Sequence, residues 1–176
     1  MLSAATELLV EGGVKAVTAD AVAERSGVAK STLYRHWTSI NELLIDVMRC
    51  NVPAPVPISL DGGFEPSLRR WVDQAVIALS APDWARTLPA LLELRNHSQE
   101  MADLLAADFD NKLVTIASIL DLGAAEGRVP VGLDPRDITH ALVGPLVLAT
   151  LSGDVDRIAA LAEYVVERFL ASYVSM

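Results

Sequence analysis

Six polar side chains, Lys30, Ser31, Thr32, Tyr34, Arg35 and His36, fall within seven consecutive positions interrupted only by Leu33. On a short helix Leu33 anchors the inner face and the others project outward. Those types suit a polyanion with readable edges. Lys30 and Arg35 can neutralise phosphates, Tyr34 and His36 can donate to phosphate oxygens, and Ser31 and Thr32 are short enough to touch base edges or a thymine methyl. Other constellations offer less. Glu93, His97 and Glu100 stand at i, i+4 and i+7, a spacing that can hold a metal, but Asn96-His97-Ser98 reads as a helix break and no second histidine lies close by. Asp108 and Asp110, two apart, point different ways on a helix and make a poor acid–base pair. No nucleophile elbow, phosphate-cradling glycine loop or zinc spacing is present. The sequence gives no support for an enzyme, a cofactor or a metal site.

The polar run needs a scaffold, and the preceding residues supply one. Thr18 can cap free backbone N–H groups and start a helix, and Gly27 tolerates the sharp turn that stops it. Val22, Ala23, Val28 and Leu33 are the apolar positions that pack this helix against the next. The result is a helix-turn-helix, whose second helix fits the major groove. Thr18, Lys30, Ser31, Thr32, Tyr34, Arg35 and His36 are the candidate DNA contacts. A helical hairpin with a merely solvated polar face meets the same pattern.

Around this motif the periodicity is helical throughout and no strand alternation persists, so the fold class is all-α with about nine helices. Prolines at 53, 55 and 57 forbid a regular helix, and Asp61-Gly62-Gly63 signals a turn. The chain therefore divides into a DNA-binding domain over 1–50, a stiff proline-rich connector over 51–64, and a helical bundle over 65–176. Leu68, Trp71, Val72, Ala75 and Leu79 mark one face of a fifth helix starting near Pro66. A sixth runs from about Asp83 to Asn96, with a bend at Pro89. Met101, Leu104, Leu105, Phe109, Leu113, Ile116 and Leu120 form the stripe of a long seventh, closed near Gly127. Asp134-Pro135 opens an eighth, with Leu133 and Ile138 spaced as a hydrophobic staple, and Asp154 a ninth.

Helix eight is apolar almost all round from Ala141 to Leu151, which predicts burial on more than one side. With Ile158, Leu161, Val165 and Phe169 of helix nine it can bury a surface against a second copy; Leu142, Leu146, Leu161, Val165 and Phe169 are the candidate dimer residues. Trp71, Leu91, Leu92, Met101, Leu105 and Phe109 can line an apolar cavity for a small-molecule effector, with His140 as a polar handle. Each of them is equally suited to plain core.

Composition agrees. The chain has 176 residues, 52% of them hydrophobic, enough for a sizeable core. No apolar run is long enough to span a bilayer and no signal peptide is evident, so no membrane partner is expected. The lone Cys50 points to a reducing cytoplasm and is expected to be a packed thiol at the end of the fourth helix. The net charge of −9 opposes DNA binding overall, but residues 1–50 carry five basic and six acidic groups, while 51–176 carry nine and seventeen. The acidic excess sits away from the motif. Three basic groups between Arg25 and Arg35 predict a local positive face.

The segment Leu8-Leu9-Val10-Glu11-Gly12-Gly13-Val14-Lys15-Ala16-Val17-Thr18, then Val22 to Val28 and Leu33-Tyr34-Arg35-His36-Trp37, closely resembles the DNA-binding domain of the TetR family of bacterial transcriptional regulators, over residues 2–48. Leu88 to Leu92, Ala125 to Val129 and Leu142 to Leu146 are similar to an actinobacterial type of TetR C-terminal domain. The resemblance implies a homodimeric, ligand-responsive repressor that binds double-stranded operator DNA and is released by a small apolar or amphipathic molecule. The alternative is a helical ligand-binding or protein-interaction module with little DNA affinity. Two departures bear on the choice. The family usually has a basic arm before the first helix, where this sequence opens at Met1-Leu2-Ser3 inside it: the arm is absent or the start is truncated, and affinity falls. Ile40 stands where the family usually has a phosphate-gripping lysine, although Ser39 and Glu42 keep a capping-box spacing.

Overall fold

In α1 (Leu2–Gly12), Ala4, Ala5, Leu8 and Leu9 are buried, the one-sided pattern of an amphipathic helix. A 3-10 turn over Val14–Ala16 leads to α2 (Ala19–Ser26), whose first turn is capped as expected: the Thr18 hydroxyl accepts from the Ala21 N–H at 3.2 Å. Gly27 stops α2 in the left-handed conformation at φ +69°, with its own N–H donated to the Glu24 carbonyl and that of Val28 to the Ala23 carbonyl. This crossed pair is a Schellman turn, which only glycine enters without strain. Next come α3 (Lys30–His36) and α4 (Ile40–Asn51). Here α1 packs on α2 and α4, and α2 packs on α3. Val22 and Leu33 are wholly inaccessible at the α2/α3 crossing.

The computed structural model describes residues 1–51, 56–96 and 98–173, with the backbone alone at 82–84 and 91. Among them every regular element is helical, and none is long and apolar enough to cross a membrane. The remaining helices are α5 (Phe64–Ser80), α6 (Pro82–Arg95), α7 (Gln99–Ala125), α8 (Pro135–Leu151) and α9 (Ile158–Ala171). Most of the prolines of the predicted connector, at 53 and 55, lie outside the described residues, as does His97 of the weighed metal spacing.

Two compact units emerge, and they are not consecutive blocks of sequence. One joins 1–53 to 86–105; the other comprises 54–85 and 106–176. The division falls inside α6 and α7. Leu88, Ala90, Leu94 and Met101 are buried, and in the first unit Asn41 of α4 donates to the Ser98 hydroxyl that caps the start of α7. Long-range packing thus decides the partition, which a linear reading cannot see.

In the second unit α5, α8 and α9 pack pairwise around Leu68, Trp71, Val72, Leu142, Leu146, Ile158 and Val166. Ala75 is only half-buried. Helix α5 begins at Phe64, two residues before the expected start, since Pro66 is tolerated in a first turn. With Gly63 offering no capping side chain, both oxygens of Glu126 accept the Phe64 N–H at 3.2 Å. Phe64 lies so close to α7 that a methyl group at Gly123 would stand 2.6 Å from its ring, which accounts for a glycine within a long helix. Arg70 ties the chain entering α5 to that helix by donating to the Ser59 and Asp61 carbonyls at 2.7 and 2.6 Å. Asp134 caps α8 through the Arg136 N–H at 2.8 Å.

Three expectations are corrected. Cys50 is exposed, because the buried stripe of α4 runs through Leu43, Leu44, Val47 and Met48 and leaves position 50 on the outer side. Within the single chain helix α8 buries one side and leaves Ala141, Gly144, Leu148 and Leu151 exposed. Leu142 and Leu146, taken as dimer residues, are 1% and 0% accessible in the single chain, so they belong to its own core.

Candidate nucleic-acid interface

Helix α3 has only seven residues, too short to persist alone, so its neighbours must hold it. Leu33 pins it from beneath and the Schellman turn sets its angle of entry. At its far end the Trp37 indole N–H donates to Asp46 of α4 at 2.8 Å, and the His36 and Trp37 rings lie 5.7 Å apart. The start of α4 is fixed by Ser39, which accepts from the Glu42 N–H at 3.2 Å, while the Glu42 carboxylate accepts from the Thr38 N–H and hydroxyl, both at 2.6 Å. The capping-box residues are therefore used, with the return bond reaching Thr38. These bonds hold the Glu42 carboxyl below the usual carboxylate range, chiefly through the Thr38 hydroxyl. The Trp37 indole does the same for Asp46.

On this frame Lys30, Ser31, Tyr34, Arg35 and His36 are exposed, Thr32 is half-buried, and Tyr34 presents 51% of its surface to solvent. Thr18 is exposed while its hydroxyl serves the α2 cap. The structure thus brings the seven predicted contacts onto the α2/α3 pair, six of them on or adjoining one short helix.

The charge pattern differs from the expected positive face. Arg25 is turned toward α1, where it pairs with Glu7 at 3.3 Å and Glu11 at 2.8 Å. Those bonds, Glu11 first, raise the Arg25 pKa and depress that of Glu11. Lys30 pairs with Asp20 in the first turn of α2, and Arg49 with Asp46. Of the lysines and arginines among the first fifty residues, Lys15 and Arg35 form no ion pair with a described residue. Sequence reasoning counted Arg25 as a DNA-facing charge because chain proximity to the motif does not report which way a helix face turns. It missed Trp37, Asp46 and Thr38 as positioning residues; the aromatic-to-carboxylate spacing from 37 to 46 across a turn was the available signal.

Comparison with known proteins decides what this arrangement is. Residues 1–47 match the model of bacterial regulatory proteins of the tetR family, and residues 61–169 match that of the tetracyclin repressor-like C-terminal domain. The chain belongs to the TetR family. TetR-family proteins are DNA-binding transcriptional regulators rather than enzymes, and this chain is one of them. It is 29% identical over 150 residues to the HTH-type transcriptional regulator AqdR of Rhodococcus erythropolis, covering 82% of this chain and 69% of that protein. It is 24% identical over 156 residues to an uncharacterised HTH-type transcriptional regulator of Bacillus subtilis, YdeS, covering 88% of this chain and 78% of YdeS. In fold it matches FadR from Bacillus subtilis, solved in complex with stearoyl-CoA, with a TM-score of 0.70, 20% identity and 98% and 97% of the two chains covered.

The effector candidates of this TetR-family chain are scattered. Leu92, 41% exposed, Met101, fully buried, and Leu105, half-buried, belong to the first unit; Trp71, buried, with Phe109 and His140 belong to the second. The side chain of Leu91 lies outside the described residues. Phe109 and His140 meet, with rings stacked 5.6 Å apart; Arg136 lies 4.9 Å over the same Phe109 ring and pairs with Asp110 at 3.5 Å. His140 is exposed, so it is no handle inside a closed cavity. An open groove of about 320 Å³ lies between α5 and α9 in the second unit, floored by Val72, Val76, Ala162 and Val166 and rimmed by Arg69, Asp73 and Glu163. None of the seven candidates lines it. Of the dimer candidates, Leu161, Val165 and Phe169 are half-buried on α9.

Proposed function

We propose that this regulator is a cytoplasmic homodimeric repressor that holds operator DNA through Thr18, Lys30, Ser31, Thr32, Tyr34, Arg35 and His36 and leaves it when a small molecule binds its C-terminal bundle. The observation that carries the reading is a short helix pinned at Leu33 and braced by the Trp37–Asp46 bond, with five of its six polar side chains exposed. Such a helix docks in a major groove, and a pair of them related by two-fold symmetry reads two half-sites. The second copy is met by the outer side of α8 and α9, where Leu148 and Tyr164 are 65% and 61% exposed beside Leu161, Val165 and Phe169. The effector is apolar or amphipathic. Support comes from the apolar bundle carrying Trp71 and Phe109, and from the stearoyl-CoA complex of a protein sharing the fold. An effector that prefers the non-DNA conformation by a few kcal/mol shifts the population, and DNA then weakens effector binding by the same factor.

The test is fluorescence anisotropy with duplexes from the DNA flanking the protein's own gene, at several salt concentrations, comparing wild type with a Tyr34→Ala, Lys30→Ala double variant. Saturable binding that survives competitor DNA and falls roughly a hundredfold in the variant is expected, since each lost polar contact costs about 1–3 kcal/mol. Absence of specific binding, against a pool of genomic fragments as well, would instead mark an interaction module with little DNA affinity.

A further inference from the structure

Asp20 is 76% exposed, and its carboxylate grips the ammonium of Lys30. The pair spans the first turns of α2 and α3, and the first residues of a recognition helix are those that reach base edges. The Asp20 carboxylate adds negative charge beside a polyanion, and it occupies the one cation that starts the reading helix. We propose that Asp20 sets the specificity of this reading head: it withholds Lys30 from random phosphates and is itself accommodated only where a cytosine amino group faces it. The inference rests on the DNA-binding reading of α3.

The argument is a balance of charges. On a non-cognate duplex a phosphate competes with Asp20 for Lys30 and brings that carboxylate against the backbone, so the ammonium is neutralised in part and releases less than a full counterion. On a cognate site the same carboxylate meets the one group type in the major groove that donates to it, an exocyclic amine, and cytosine N4 is the usual partner of an aspartate. Lys30 is then free for a phosphate at no expense to Asp20. Weak binding everywhere else is the outcome, and the discrimination ratio, not the bare affinity, is what the pair governs.

The experiment compares wild type, Asp20→Asn, Lys30→Met and the double variant, each checked for unchanged helicity, on the flanking-gene duplex and on a scrambled duplex across a salt series. Asp20→Asn is expected to tighten scrambled-DNA binding about three- to tenfold and to steepen its salt slope by up to about 0.9, the contribution of one fully released phosphate counterion. Lys30→Met should change scrambled binding little in the wild type yet abolish the gain in the Asp20→Asn background. On the flanking-gene duplex Asp20→Asn should lose affinity, with the loss confined to one C·G pair per half-site. Unchanged scrambled affinity and slope in Asp20→Asn, with the wild type still binding its flanking DNA, would overturn the proposal and leave the DNA-binding reading intact. Failure of every form to bind any duplex would sink both.

Discussion

The reading head and the C-terminal bundle solve opposite surface problems. Of the first 51 residues only Tyr34 is a large apolar side chain left exposed, and around it lie hydroxyls, an imidazole, Arg35 with no described ion partner, and Lys30 paired with Asp20. The bundle instead leaves Leu148, Leu151 and Tyr164 in solvent on α8 and α9, and has an open groove between α5 and α9. One surface suits a hydrated polyanion; the other exposes apolar side chains of the kind found at interfaces. The difference also shows in the covalent distance of the contacts. The bonds that shape the reading helix join near neighbours, Thr18 to Ala21, Ala23 to Val28 and Trp37 to Asp46, although Arg25 reaches back to Glu7 and Glu11. The bundle relies on partners far apart in sequence, such as Phe64 with Glu126 and Arg69 with Glu167.

The sharpest way to break this comparison is to charge the exposed apolar side of the bundle. Leu148→Glu should shift a dimer strongly toward monomer in sedimentation velocity, because two carboxylates would be desolvated across a symmetric contact at several kcal/mol in all. The head's fold should be unaffected. A monomer–dimer equilibrium equal to that of the wild type would show that this side faces no second copy.

Next in size are core truncations placed in each region. Leu33→Ala and Leu146→Ala both remove fully inaccessible side chains, and each should lower stability to urea by about 2–5 kcal/mol. They should part in function. Leu33→Ala frees α3 and should abolish operator binding under conditions where the chain remains largely folded, whereas Leu146→Ala should retain it. Equal loss of DNA binding in both would mean that α3 is positioned by the whole molecule rather than by its immediate bed.

Smaller effects test the local signals. Gly27→Ala forces a side chain into the left-handed region and should cost roughly 1–2 kcal/mol, and Thr18→Ala, which removes a cap, about 1 kcal/mol. Thermal melts would show both. A neutral Gly27→Ala would indicate that the turn relaxes without it.

These local devices are why the head was legible. Thr18, Gly27 and the Ser39–Glu42 spacing each act within a few residues, so their chemistry survives in the linear sequence. Helix limits in the bundle were also readable from caps such as Asp134-Pro135, since those too are local. What was lost concerned direction and assembly. Nothing near Arg25 says that Glu7 and Glu11, fourteen or more positions away, will take it from the DNA side. The all-round apolar character of α8 could not say which residues face α5 and α9, so Leu142 and Leu146 were assigned outward when they lie inward. Residues 86–105 joined the head for the same reason: burial of Leu94 and Met101 depends on packing that sequence order conceals.

The last test uses acid. Asp46 and Glu42 both have carboxyls held below their ordinary values, by the Trp37 indole N–H and the Thr38 hydroxyl respectively. A carboxyl depressed in the folded state stabilises the fold fully above its unfolded pKa, near 3.8 for Asp46 and 4.5 for Glu42, and the contribution fades as pH falls through the lower folded value. The head should therefore be constant in stability from neutral pH to about 5 and weaken below about 4. Asp46→Asn should remove part of that acid dependence with a small loss of stability at pH 7, read from Trp37 fluorescence in urea with Trp71 and Trp84 replaced by phenylalanine, because an amide accepts the indole hydrogen bond less strongly than a carboxylate. Since both bonds brace α3 rather than the bundle, operator affinity should drop before Leu146-side packing is disturbed. An acid profile unchanged by Asp46→Asn would place the brace of the reading helix elsewhere, in Glu42 and the start of α4.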